Sequence, residues 1–188
     1  MSSIAKQTAA GEDIRSPAAA NQKVGSSAGR RAERLARRVE EGAANLASFV
    51  EGISQGEWRA PASTTDRRSI GVIVHHVASA YPVEIDLARA IASDKPVTDV
   101  TSEVVAELNA RHAKEHSGVT KEAALELLRR NSDEAAAAVR AFTDEELDRA
   151  APFSLSDGAP VTAQFVIEDH AVRHSWHHLA RLRTALGR

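Results

Sequence analysis

Apolar residues recur at intervals of three and four along most of this chain, and that period predicts helices rather than strands. Leu35, Val39, Ala43, Leu46, Val50 and Ile53 form one apolar stripe with Arg and Glu between its members, so an amphipathic helix is expected from about residue 30 to 53. Gly56 and the stretch from Pro61 to Asp66 break it into a loop. Ser69 can cap a second helix running towards Ile91, and Pro82 is expected to kink it. A Pro-containing connection from Asp94 to Thr101 leads into a helix of mixed face, Glu103 to His116, ended by Gly118. Thr120 starts a long helix with Ala124, Leu125, Leu128, Ala135, Val139 and Phe142 on one face. Thr143 and Glu146 have capping-box spacing for a short turn, residues 152 to 160 read as a loop, and Thr162 caps a last helix that Gly187 ends. No strand alternation and no internal repeat stands out.

Four main helices with apolar stripes must cover one another, so the fold class expected is all-α, a four-helix bundle with short additional helices. Residues 1–26 are rich in Ala, Ser, Gly and Gln without any period and are predicted to be a disordered tail; residues 27–188 form the one domain. The run Arg30, Arg31, Arg34, Arg37 and Arg38 reads as the wet face of the first helix. Aromatic residues make up only 4% of the chain, which suits Ala and Leu packing between helices.

A net charge of −2, made of interspersed acids and bases, provides no broad basic face for nucleic acid or anionic lipid. With no cysteine there is no disulfide, no thiolate ligand and no cysteine nucleophile. The apolar runs are too short to span a membrane, and the N-terminus lacks the apolar core of a secretory signal, so a cytoplasmic location is expected.

The candidate chemistry lies in histidine. Four of the eight histidines fall within the nine residues from His170 to His178. On a helical wheel with His174 at zero, Ile167, Ala171, Val172, Leu179 and Leu182 fall on an arc from about +20° to +160°. His178 lies at about +40°, His170 at about −40° and His177 at about −60°. His174 and His178 are therefore the inward pair, and their i, i+4 spacing lets two imidazoles reach one metal ion. His76 sits among Ile73, Val72, Ala80, Val83 and Leu87 on the core side of the second helix, while His75, about 100° away, points to the flank. A buried imidazole needs partners for its ring nitrogens, and a divalent metal shared by His76, His174 and His178 supplies one. Three histidines with open positions are the pattern of a catalytic metal rather than a structural one.

The bland reading of a single inward histidine is a core residue bonded to a carbonyl or carboxylate; the combination with an inward i, i+4 pair is what favours a metal. His112 and His116 share that spacing, but Arg111, Lys114 and Glu115 point to a solvated surface, and His116 near a helix C-terminus suits the macrodipole without any metal. Glu84, Asp169 and Glu168 are candidate acceptors for the second nitrogen of a ligand histidine, with Glu168 inside the apolar arc.

The stretch Val74-His75-His76-Val77-Ala78, followed far downstream by His174-Ser175-Trp176-His177-His178, resembles the DinB/YfiT-like superfamily, from about Arg30 to the C-terminus. The resemblance implies a four-helix bundle of unusual connectivity, a homodimer, and a divalent metal on one histidine of the second helix and an HxxxH pair of the last. Here those positions are His76, His174 and His178. Residues 108–116 and 120–152 also resemble the subgroup containing the mycothiol-dependent maleylpyruvate isomerases. Arg181 departs from the pattern, standing where many relatives carry a smaller polar residue.

Imidazoles suit Zn, Ni, Cu and Fe alike; Zn or Ni is the ion expected. The leading expectation for function is a metal-dependent enzyme that activates a low-molecular-weight thiol for S-transfer to, or isomerisation of, a small electrophilic substrate. The thiol must be a cosubstrate because the chain has no cysteine. The alternatives are a hydrolase using a water activated by the metal, and a non-catalytic, stress-related dimer braced by the metal.

Overall fold

The computed structural model describes residues 25–188, with side chains from residue 29 onward. The tail expected over residues 1–26 lies outside the described residues, except for its last two, which belong to the first helix. That helix, α1, spans Gly25–Glu51. A short α2 covers Gln55–Arg59, followed by α3 over Ile70–Ala92, α4 over Ser102–Glu115, α5 over Lys121–Arg140 and the short α6 over Asp144–Asp148. The last long element begins as α7 (Ala163–Val166), widens into a π-helical segment (Ile167–Val172), and ends as α8 (Arg173–Ala185).

The expected caps form. Ser69, Thr120 and Thr162 each accept a hydrogen bond from the backbone two or three residues into their helices, and Gly187 takes the left-handed conformation, φ 67°, just past α8. Thr143 and Glu146 make a reciprocal capping box. An equivalent box at Ser54 and Glu57 starts α2, where only a loop was expected. Residues 150–162 are likewise more regular than a loop: β1 (Ala150–Pro152) and β2 (Pro160–Thr162) pair antiparallel around a 3₁₀ turn.

α5 packs against both α1 and α3, and the π segment with α8 packs against the same two helices. α1 and α3 therefore occupy opposite corners, as do α5 and the last helix, so of the successive corner helices α3 and α5 alone are neighbours. The core draws Leu46, Ile73, Tyr81, Leu128, Ile167 and Leu179 from all four corners, each almost wholly buried. Hydrophobic burial thus accounts for the bundle without any metal.

Helix α3 continues through Pro82 as one element. Proline there removes the amide that the Ala78 carbonyl would accept from. Asn131 of α5, itself buried, donates its Nδ2 to that carbonyl at 2.8 Å. One turn away on the other side, the Tyr81 and Ser175 hydroxyls are 2.6 Å apart, which ties α3 to α8 beside the histidines.

Gly71, at the start of α3, touches the indole of Trp58. A Cβ there would lie 2.6 Å from Trp58 Cε2, and Trp58 cannot retreat freely because it is buried and donates Nε1–H to the Val119 carbonyl at 3.0 Å. Gly71→Ala is therefore expected to destabilise the fold by about 1–3 kcal/mol, the usual cost of overpacking, which exceeds any gain in helix propensity at a first-turn position. Urea denaturation measures it. A midpoint equal to or above that of the parent would contradict the close contact.

Candidate metal centre

Helices α3 and α8 bring His76, His174 and His178 together. One ring nitrogen from each lies within 4.8 Å of the others. His174 Nε2 and His76 Nε2 are 3.2 Å apart. Two nitrogens on a tetrahedral ion with bonds near 2.05 Å would be separated by about 3.3 Å, so this pair already has ligand spacing. The three rings are mutually 4.8–5.6 Å apart, centroid to centroid.

His174 Nδ1 lies 2.6 Å from Glu84 Oε1, and the carboxylate, only 6% exposed, accepts the Nδ1–H. That bond fixes the tautomer and leaves the Nε2 lone pair facing His76. The buried Nδ1 of His178 has no hydrogen-bond partner, a cost that coordination through that nitrogen would remove. Burial, reinforced by the neighbouring His174 ring, holds His76 down to about 3 and His178 down to about 2. Both are neutral at ordinary pH and available as ligands. Donor type, spacing and the orphaned nitrogen all fit a divalent ion of the imidazole-binding kind.

Glu84→Gln keeps the shape and removes the charge behind His174. Loss of such an outer partner is expected to lower metal affinity roughly 10- to 100-fold. Competition with a coloured chelator reads the change; unaltered affinity would mean that His174 is not oriented through Glu84.

Several of the other acids and histidines stand elsewhere than expected. Glu168, expected inside the apolar arc, turns outward and pairs with Arg38 at 2.5 Å. The reason is the π segment. Extrapolating the buried face Ser175, His178, Leu179 and Leu182 backwards at 3.6 residues per turn puts both Ile167 and Glu168 on the apolar side; the wider turn absorbs one extra residue, which keeps Ile167 in the core and turns Glu168 out of it. Asp169 pairs with Arg173 at 3.0 Å rather than orienting a histidine of the triad. His170 lies outside the triad as expected, but it is half-buried, with its ring edge-on to Phe153 at 5.6 Å. His177 is exposed. His75, His112 and His116 were expected on a flank and a solvated surface; all three are half-buried and in mutual contact, which neither the wheel of α3 nor the charged neighbours of His112 and His116 could reveal.

The triad opens on a cavity of about 670 Å³ between α3, α4 and α8. Val83, Leu87, Val105, Leu108 and Leu155 give it an apolar wall. Arg181, the residue departing from the family pattern, reaches Asp66 at 3.3 Å and shares it with Arg68, which lies 2.7 Å from the same oxygen. Two guanidinium groups on one carboxylate leave this part of the rim net positive.

A profile of the DinB superfamily matches residues 38–182. Among solved structures, the chain is similar to YfiT from Bacillus subtilis, described as a probable metal-dependent hydrolase with an unusual four-helix bundle topology. That alignment covers 92% of this chain and 94% of YfiT at 20% identity, with a TM-score of 0.65. It is also similar to the mycothiol-dependent maleylpyruvate isomerase, at 15% identity and a TM-score of 0.60, over 80% of this chain and 60% of the isomerase. At these identities the likeness is one of fold. No curated protein sequence matches the chain.

Proposed function

Since the chain belongs to the DinB superfamily, we propose that it is a metal-dependent enzyme holding one divalent ion, Zn or Ni, on His76, His174 and His178, and acting on a small electrophile with a low-molecular-weight thiol as cosubstrate. The observation that carries this reading is the three-imidazole cluster at the end of a 670 Å³ cavity, a volume suited to two small reactants. A divalent ion held there would supply Lewis acidity, the chemistry that turns a thiol into a thiolate at neutral pH.

The chain's own residues do the rest. Glu84 holds the His174 ring in its ligating tautomer. Val83, Leu87 and Leu108 offer the carbon skeleton of the electrophile an apolar surface and limit water around the nucleophile. Of the three acids lining the cavity, Glu84 is bonded to His174 and Asp169 to Arg173, which leaves Glu115 of α4 as the candidate proton acceptor.

Hydrolysis is the second reading, favoured by the likeness to YfiT over nearly the whole of both chains. The test is to load the purified protein with Zn or Ni and follow two panels: cysteinyl thiols with activated alkenes and epoxides, and nitrophenyl esters without thiol. Turnover that requires thiol and disappears in His178→Ala is the expected result. Ester turnover without thiol would select hydrolysis, and silence in both panels with metal bound would leave the ion a structural brace.

A further inference from the structure

We propose that His75, His112 and His116 form a second divalent-metal site, which clamps α4 onto α3. One ring nitrogen from each lies within 4.8 Å of the others, and His75 Nδ1 is 2.9 Å from His112 Nε2. The ring centroids are 4.0 Å apart for His75 and His116, 4.6 Å for His112 and His116, and 5.0 Å for His75 and His112.

The local sequence explains how two triads arise side by side. His75 and His76 are consecutive on α3 and so diverge by about 100°, one towards α4 and the other towards α8. His112 lies in the last turn of α4 and His116 caps its C-terminus four residues on, and both rings lie against His75. The clusters adjoin without merging: the His76 and His112 rings are 5.6 Å apart.

Two observations need something beyond ordinary packing. First, α4 is a fourteen-residue helix with no buried residue, and its Val104 and Leu108 are 39% and 45% exposed. Hydrophobic burial does little to hold it. Second, the His116 ring makes no hydrogen bond among the described residues, yet it lies against His75 at the shortest ring separation in the cluster. The helix macrodipole accounts for a histidine near the end of α4, but not for three rings converging from two helices.

The donor set selects the ion. Three neutral imidazoles suit Zn, Ni or Cu and poorly suit Ca or Mg, which need oxygen ligands. All three residues are only half-buried, so water can complete the coordination. Because α4 carries Val105, Leu108 and Asn109 of the cavity wall, the second ion would set how firmly that wall is held. The inference concerns residues separate from the triad proposed above and does not require that triad to be catalytic.

The test uses the full chain, stripped with a chelator, reloaded with Zn(II) and passed through gel filtration before metal analysis. The parent is expected to retain about two ions per chain, His116→Ala about one, His178→Ala about one, and the double variant none. A parent with one ion, kept by His116→Ala and lost by His178→Ala, overturns the second site and leaves the pocket reading intact. One ion lost by His116→Ala and kept by His178→Ala supports the clamp and removes the pocket site instead. A single ion lost by both variants overturns the two-site arrangement. Amide exchange of the parent provides a readout independent of any variant: Zn(II) should slow exchange across 102–115, and exchange unaffected by Zn(II) overturns the clamp.

Discussion

His178→Ala should leave the cavity triad unable to retain its divalent ion, with affinity reduced by roughly 100-fold or more, since removing a direct ligand costs more than removing an outer partner. The position suits the experiment. His178 is buried on α8 at 6% exposure, yet the side chain donates to and accepts from nothing through Nδ1, so truncation breaks no hydrogen bond there. The loss should be specific. His170 is eight residues away, about 12 Å along an ordinary α-helix, and the intervening π segment rotates it towards Phe153 rather than His76. His170→Ala should therefore keep the ion. Competitive titration with a chelator measures both variants, and equal loss from the two would place the binding face elsewhere on the last helix.

Metal-free protein should lose stability as the pH falls below about 6.5, by about 2 kcal/mol at pH 5 for one buried histidine of the triad and less than twice that for two. The unfolded chain protonates its imidazoles near 6.5. Burial keeps the folded His76 unprotonated down to about 3 and His178 down to about 2. Between those limits the unfolded state binds protons that the folded state does not, so acid favours unfolding; above 6.5 the contribution to folding is complete. His75, held down to about 4 chiefly by burial, adds to the same trend. Urea midpoints from pH 8 to pH 5 read the effect. A flat profile would mean that the triad takes up protons without unfolding.

Both effects arise from features that the sequence revealed unequally. The helical stripes, the caps at Ser69, Thr120 and Thr162, and the inward pairing of His174 with His178 follow from local periodicity, because α3, α5 and α8 are regular around those residues. Glu84 was one of three acids in view, and only the crossing of α3 with α8 singles it out, since Asp169 and Glu168 are taken by Arg173 and Arg38. The π segment broke the wheel at Glu168. A wheel assumes one constant turn angle, and no residue type in Ile167–Val172 announces a wider one.

Two further omissions differ in kind. The Ser54–Glu57 capping box was legible as Ser-x-x-Glu, but Gly56 within it argued for a loop and prevailed. The β1–β2 pair was hidden by its length of three residues per strand and by Pro152 and Pro160 at its register. The approach of His75 to His112 and His116 is tertiary: the wheel of α3 showed only its own helix, and α4 has too little apolar surface to announce where it docks.

Anomalous diffraction from a Zn(II)-loaded crystal locates the ion among the histidines of α3 and α8. A zinc peak is expected about 2.0–2.1 Å from one ring nitrogen each of His76, His174 and His178, with Glu84 still bonded to His174 Nδ1. Absence of a peak between these three rings, or a peak bound by His170 or His177 in their place, would contradict a metal site on them.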